Sequence, residues 1–334
     1  MPFALLNVSF SSYPLWSLLI VILVCFLTLN YGGDFLTQGS VAVATNLKIN
    51  PVVVGLTIVS MATSMPEMMT SLLAAKSSPG LALGNILGSN IANIGLILGV
   101  TALISPLVVQ LRLLQREVPL LLVVTGLFSF FAINGFVFWE GAILLSILAV
   151  YLYFVVRWAK QEPAEVTAEF TDSAMSNASR SIGSGVWLVV LGAVLLAIGA
   201  DFLVGACVEI AVRLGISDVL IGLTIVAIGT SLPELAASIS AARSGNSDIC
   251  VGNVIGSNLF NILLIGGGVS CINRIPTDPS LFRMEFPALI LITMLLLWIF
   301  KSGRVVTRKE GAFLVCLYIV ILSLSSALQL GIIF

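Results

Sequence analysis

The sequence predicts an all-α polytopic membrane protein, with about ten transmembrane helices arranged as two inverted five-helix repeats. Three observations carry this expectation: an apolar composition, a series of bilayer-length runs, and an internal duplication. Of 334 residues, 59% are hydrophobic and 9% charged, and the mean hydropathy is +1.14. Soluble domains carry about 25% charged residues, so this much apolar surface needs lipid to cover it.

Apolar runs of roughly 20 residues, the length that crosses a bilayer, fall near 15–47, 51–75, 79–105, 117–133, 137–158, 184–212, 218–242, 248–273, 283–300 and 311–332. The first and sixth exceed one bilayer thickness and must tilt or protrude. Residues 159–183 are the one hydrophilic stretch, with Glu162, Glu165, Glu169 and Asp172 among Ser, Thr and Ala, and read as a flexible linker. They divide the chain into a first half, 1–158, and a second half, 184–334. Counted by alternate loops, eleven of the fifteen Lys and Arg fall on the linker side and four on the other. The positive-inside rule then puts the linker in the cytoplasm and both termini outside.

Composition also removes function classes. The chain has no histidine, which excludes histidine-based acid–base catalysis and histidine-ligated zinc or haem. No basic cluster suited to nucleic acid exists. The five cysteines are scattered, never in CxxC spacing, and read as buried apolar side chains.

The halves repeat one another. GLTIVSMATSMPE at 55–67 matches GLTIVAIGTSLPE at 222–234 at nine of thirteen positions. LGNILGSNIANIGLILG at 83–99 matches VGNVIGSNLFNILLIGG at 251–267 at ten of seventeen. Apolar helices resemble one another by composition, but a shared Thr-Ser-x-Pro-Glu and Gly-Asn-x-x-Gly-Ser-Asn do not arise that way. Five spans per half is an odd number, so the second copy enters the membrane from the opposite side. Transporters built on such inverted repeats bind substrate near the bilayer midplane, at the repeat interface.

The duplicated motifs carry the candidate chemistry. Glu67 and Glu234 lie inside the second and seventh spans, where a carboxylate costs about 2.5–3.5 kcal/mol on insertion scales and is functional by default. Each follows a proline, and Pro66 and Pro233 leave the carbonyls of Ala62 and Gly229 without their helical donors. Thr63 and Ser64 precede Glu67 by four and three residues on one helix face, as Thr230 and Ser231 precede Glu234. In the third and eighth spans Ser89 and Asn93, and Ser257 and Asn261, can turn a hydroxyl and an amide oxygen toward the same centre. Carboxylates, hydroxyls and freed carbonyls are hard oxygen donors, suited to Ca2+ and Na+ and not to thiophilic metals. Asn85, Asn90, Asn253 and Asn258 read as interhelical hydrogen-bonding residues, and Gly84, Gly88, Gly252 and Gly256 as close-packing positions. For Asp34 and Asp201 a structural hydrogen bond or cap is expected.

At these motifs the chain resembles the cation/Ca2+ exchanger superfamily, in particular its prokaryotic Na+/Ca2+ exchanger (calcium/sodium antiporter) branch, over nearly its whole length. The resemblance implies an antiporter, not an enzyme, with no cofactor, residing in a bacterial inner (plasma) membrane; the internal pseudo-symmetry allows a working monomer. It implies that the two Pro-Glu helices are broken and face each other around four cation positions. The implied ligands are Glu67, Thr63 and Ser64 with the Ser60 carbonyl, and Glu234, Thr230 and Ser231 with the Ala227 carbonyl. Ser89, Asn93, Ser257 and Asn261 complete the set, and sliding of the first and sixth helices would switch access. Asn261 stands where K+-dependent relatives carry Asp, which argues for K+ independence. Gly-Ser-Asn in both copies, in place of the acidic motif of proton-coupled relatives, favours Na+ as driver; H+/Ca2+ exchange is the alternative.

Overall fold

The computed structural model describes residues 10–77, 79–159, 181–215 and 227–329. The expected linker lies almost wholly outside the described residues, as do residues 218–226 of the seventh run. The described chain is mostly helical: α1 Leu15–Leu47, α2 Pro51–Thr63, α3 Met65–Ser77, α4 Pro79–Ile104, α5 Leu113–Ala132, α6 Phe138–Ala159 and α7 Ile182–Arg213, then the single turn α8 Ala227–Gly229, followed by α9 Leu232–Arg243, α10 Ser247–Ile272, α11 Glu285–Gly303 and α12 Arg308–Gln329. Among the described residues eight helices are long and apolar enough to cross a membrane, and the bent pair α2–α3 makes nine. The seventh of the ten expected runs is described only from Ala227 onward.

The layering follows burial. The most apolar windows of α4 and α10 are 78% and 94% buried, against 22–44% for the six other spans, so these two form the centre and the rest a shell. The two central helices are also the ones that carry the Gly-Asn-x-x-Gly-Ser-Asn motifs. Exposed Trp16, Leu19, Leu23 and Phe26 on α1, and Trp139, Val150 and Phe154 on α6, supply the apolar outer surface that lipid requires.

Glycines set the crossings. A Cβ at Gly252 would lie 2.9 Å from the Val52 carbonyl oxygen, and one at Gly256 only 2.6 Å from that of Leu56, so α10 lies directly against α2. The helices α1 and α7, of 33 and 32 residues, lie along each other through Gly32, Gly39, Gly185 and Gly192; a Cβ at Gly192 would come within 2.5 Å of the Leu36 nitrogen. At 1.5 Å per residue each is about 50 Å long against about 30 Å of hydrocarbon, so both are strongly inclined or project into water.

Several contacts occur twice with exchanged partners. The short strands β1 (Leu107–Val108) and β2 (Val305–Val306) pair antiparallel, Leu107 opposite Val306, while Phe136 bridges Ile275 in the same sense. Leu107 and Ile275 are 168 positions apart, and Phe136 and Val306 are 170 apart, which is close to the repeat offset. Gly99 on α4 abuts Gly311 on α12, and Gly267 on α10 abuts Gly141 on α6, each with its Cβ position within 3.0 Å of the partner's carbonyl oxygen.

Some expectations need correction. The five cysteines are all free, but only Cys25 and Cys250 are buried, and Cys316 is exposed on the outer face of α12. In an apolar solvent a thiol loses little by facing outward, so burial was the wrong inference from its chemistry. Asp34 behaves as expected: its Oδ1 accepts a 2.6 Å hydrogen bond from Ser240.

Candidate cation site

Both Pro-Glu segments are breaks in a helix, and the two breaks share one geometry. Ser64 ends α2 with φ −83° and ψ 5°, and Ser231 precedes α9 with φ −92° and ψ 7°. Both lie in the sparsely occupied bridge region. A new helix then starts, with Pro66 and Pro233 as its second residue, where a missing N–H breaks no helical bond. The axes of α2 and α3 meet at 48°. Glu67 and Glu234 therefore stand in the first turn of a helix, where the positive end of the peptide dipoles favours a carboxylate. The carbonyl end of α2 points into the same region and favours a cation.

Burial and bonding distinguish these side chains from ordinary core polars. Ser60, Thr63, Ser64, Glu67, Ser89, Asn93, Ser231, Glu234, Ser257 and Asn261 are all buried, and Glu67 and Glu234 are each 1% exposed. The hydroxyl of Ser64 donates to Glu234 Oε1 at 3.0 Å, and Thr63 also approaches this carboxylate. In the mirrored relation Ser231 lies near Glu67, its hydroxyl without a hydrogen-bond partner, and the two carboxyl groups are within electrostatic reach of each other. Both oxygens of Glu67, Oε2 of Glu234, the hydroxyls of Ser89 and Ser257, and the whole amides of Asn93 and Asn261 are buried without a hydrogen-bond partner. Buried polar atoms are ordinarily satisfied. The unpaired oxygens of Glu67 and Glu234, within reach of each other and of Ser64, Thr63 and Ser231, are donors that suit a metal cation.

The backbone adds to the picture. Asn93 and Asn261 each open a π-helical turn, Asn93–Leu98 and Asn261–Gly266; such turns concentrate at functional sites. The Ser60 carbonyl accepts the Ser64 amide at 3.0 Å and the Thr63 hydroxyl at 3.4 Å, so it stands at the break with its helical bond made. Ala227 opens the turn α8, and Thr230 is half-buried at the second break.

The remaining asparagines divide. Asn85 and Asn253 do bridge helices, to Ser71 at 2.9 Å and Ser238 at 3.2 Å. Asn90 and Asn258 instead donate to their own helix four residues back, to Ile86 and Val254. That corrects the expectation of an interhelical role. Two polar groupings escaped the sequence. Glu117, wholly buried, pairs with Arg112 at 3.2 Å. Gln110 joins Asn50 and Asp248 in a hydrogen-bonded cluster at the ends of α2 and α10.

The fold and this site define a class: a helical membrane carrier for cations held by oxygen ligands. The sequence pattern of the sodium/calcium exchanger protein family matches residues 17–157 and 184–327, and the chain belongs to that family. It is similar to CaxA of Alkalimonas amylolytica, with 39% identity over 307 residues, 90% of this chain and 96% of that one. It is 32% identical to the sodium/calcium exchanger MaX1 of Methanosarcina acetivorans over 91% of this chain and 97% of that one. Its fold superposes on the sodium–calcium exchanger NCX_Mj with a TM-score of 0.80 and 30% identity, covering 93% of this chain and 99% of that one. The protein is thus a cation/Ca2+ antiporter of the membrane, not an enzyme, and the family to which it belongs exchanges Na+ and Ca2+.

Proposed function

We propose that the protein couples Na+ entry to Ca2+ export by alternating access, electrogenically and without K+. The observation that carries this reading is the pair of buried carboxyl groups, Glu67 and Glu234, within reach of each other and with oxygens left unpaired. The ligands are Glu67, Thr63 and Ser64 with the Ser60 carbonyl, Glu234, Thr230 and Ser231 with the Ala227 carbonyl, and Ser89, Asn93, Ser257 and Asn261. Two carboxylates offset one Ca2+ or are shared among several Na+, which gives competition for one site. Transport is electrogenic when the Na+ count exceeds charge balance. Asn261, neutral where a carboxylate would add charge for a further cation, supports K+ independence.

The contacts that recur with exchanged partners support two inverted halves, a design in which each half can adopt the other's conformation. The distribution of Lys and Arg supports a cytoplasmic linker and both termini outside, in the inner membrane of a bacterium. All the ligands come from one chain, which supports a working monomer.

The test is 45Ca2+ uptake into Na+-loaded liposomes diluted into Na+-free buffer at clamped pH, with and without K+. Uptake that needs the outward Na+ gradient, ignores K+, and vanishes in Glu67→Gln and Glu234→Gln is expected. Uptake that follows a pH gradient and ignores Na+ would replace this reading with H+/Ca2+ exchange.

A further inference from the structure

We infer that Asn253 is a positioning residue of the cation site: its amide oxygen takes the hydroxyl proton of Thr63, so that Thr63 presents lone pairs to the cation. The inference rests on the assignment of Thr63 as a ligand made above. Asn253 is wholly buried on α10, at the crossing where Gly252 and Gly256 bring that helix against α2. The Thr63 hydroxyl donates to Asn253 Oδ1 at 3.2 Å. The Ser60 hydroxyl reaches the Asn253 carbonyl at 3.0 Å, and Asn253 Nδ2 donates to the Ser238 hydroxyl at 3.2 Å. One asparagine of the second half thereby ties two residues of the α2 break to α9.

The orientation of the amide decides what this arrangement does. A serine hydroxyl can donate or accept, so Ser238 alone would allow either orientation. The matching residue of the first half favours one orientation. Asn85 Nδ2 lies 2.9 Å from the Ser71 hydroxyl and 3.5 Å from the Glu67 carbonyl oxygen, and a carbonyl only accepts. Ser71 and Ser238 correspond in the repeat, as do Asn85 and Asn253. The same orientation in the second half puts Nδ2 on Ser238 and Oδ1 on Thr63.

A threonine hydroxyl has one proton and two lone pairs. It serves as a cation ligand only while its proton points elsewhere. Two other acceptors lie near Thr63: the Glu234 carboxylate, itself a proposed ligand whose oxygens turn to the cation, and the Ser60 carbonyl, at 3.4 Å and already receiving the Ser64 amide. Asn253 is therefore the acceptor that commits the proton, as an outer partner fixes the orientation of a metal-ligating side chain.

The experiment is a double-mutant cycle on the full chain: Thr63→Val, Asn253→Ala and the pair. Equilibrium 45Ca2+ binding in detergent and KM and kcat for Na+-driven uptake in liposomes are the readouts. Each single variant is expected to weaken Ca2+ affinity about 10–100-fold, mostly in KM, and the pair no further than the worse single. Losses that multiply in the pair overturn the inference and leave Asn253 a packing residue. A wild type that binds neither Ca2+ nor Na+ overturns the ligand reading itself. Should Asn253→Ala not fold, Ser238→Ala frees the amide to turn and is expected to raise the KM for Ca2+ several-fold in wild-type but not in Thr63→Val background; an unchanged KM overturns the inference.

Discussion

Ser64 donates a 3.0 Å hydrogen bond to Glu234 Oε1, joining the break of one Pro-Glu helix to the carboxylate of the other. Hydrogen bonds to charged groups contribute about 1.5–3 kcal/mol, and Ser64 is also a proposed ligand. Ser64→Ala is expected to fold and to raise the KM for Ca2+ about 10–100-fold, the same energy expressed as affinity. Initial rates of 45Ca2+ uptake across a Ca2+ series check this; a KM within twofold of wild type would remove Ser64 from the site.

Cations should also stabilise the fold. A ligand at 100 times its Kd adds about 2.7 kcal/mol to the native state. Melting of the wild type in detergent should therefore rise on replacing a chelator with Ca2+. Glu67→Gln and Glu234→Gln should lose that rise. In chelator they should melt at or above the wild type, because an uncompensated buried carboxylate is itself costly.

The crossing of α2 and α10 has no space for a methyl group. Gly256→Ala would bring a Cβ to 2.6 Å from the Leu56 carbonyl oxygen. Overpacking costs about 1–3 kcal/mol and here would separate the two helices that carry the site. Gly126→Ala, on the open face of α5 with nothing within 4 Å, is the control. It should be neutral or stabilising by up to about 1 kcal/mol. Thermal melts and Ca2+ affinity of the two variants should diverge.

The pair Arg112–Glu117 is expected to support the fold and not selectivity. Its Nε–Oε1 distance is 3.2 Å, with Glu117 wholly buried. Removing one member of a buried ion pair costs about 3–5 kcal/mol, whereas replacing both by apolar residues is often close to neutral. Glu117→Gln should lower the melting temperature sharply, and Arg112→Met/Glu117→Leu should recover most of the loss. The ratio of Na+ to Ca2+ affinity should be unchanged in both.

The central site was legible because a carboxylate, a proline and two hydroxyls have few reasons to recur in apolar runs, and here they recur at one offset. What spacing could not show was where each helix stops. The restart at Met65 and Leu232 puts Glu67 and Glu234 in a first turn, a placement that continuous helices through 51–75 and 218–242 would not give. The asparagines were ambiguous for a related reason: an amide on a helix can bond across to a neighbour or back to its own carbonyls. Asn253 does the first and Asn258 the second. Glu117 was missed because Arg112 precedes it by five residues, outside the usual three or four. The π-helical turn Leu113–Glu117, with its i to i+5 repeat, brings the pair into register.

The two small bridges described above work as rivets. Leu107 to Val306 fastens one end of the helix bundle, and Phe136 to Ile275 fastens the other, each joining a loop of the first half to a loop of the second. A frame riveted at both ends cannot hinge open like a clam. Neither rivet touches the inclined pair α1 and α7, whose mutual contact is paved with glycine and whose outer faces are exposed and apolar. A transport cycle in which this pair slides as a piston is expected to have a turnover that depends on membrane viscosity and thickness as well as on the ions.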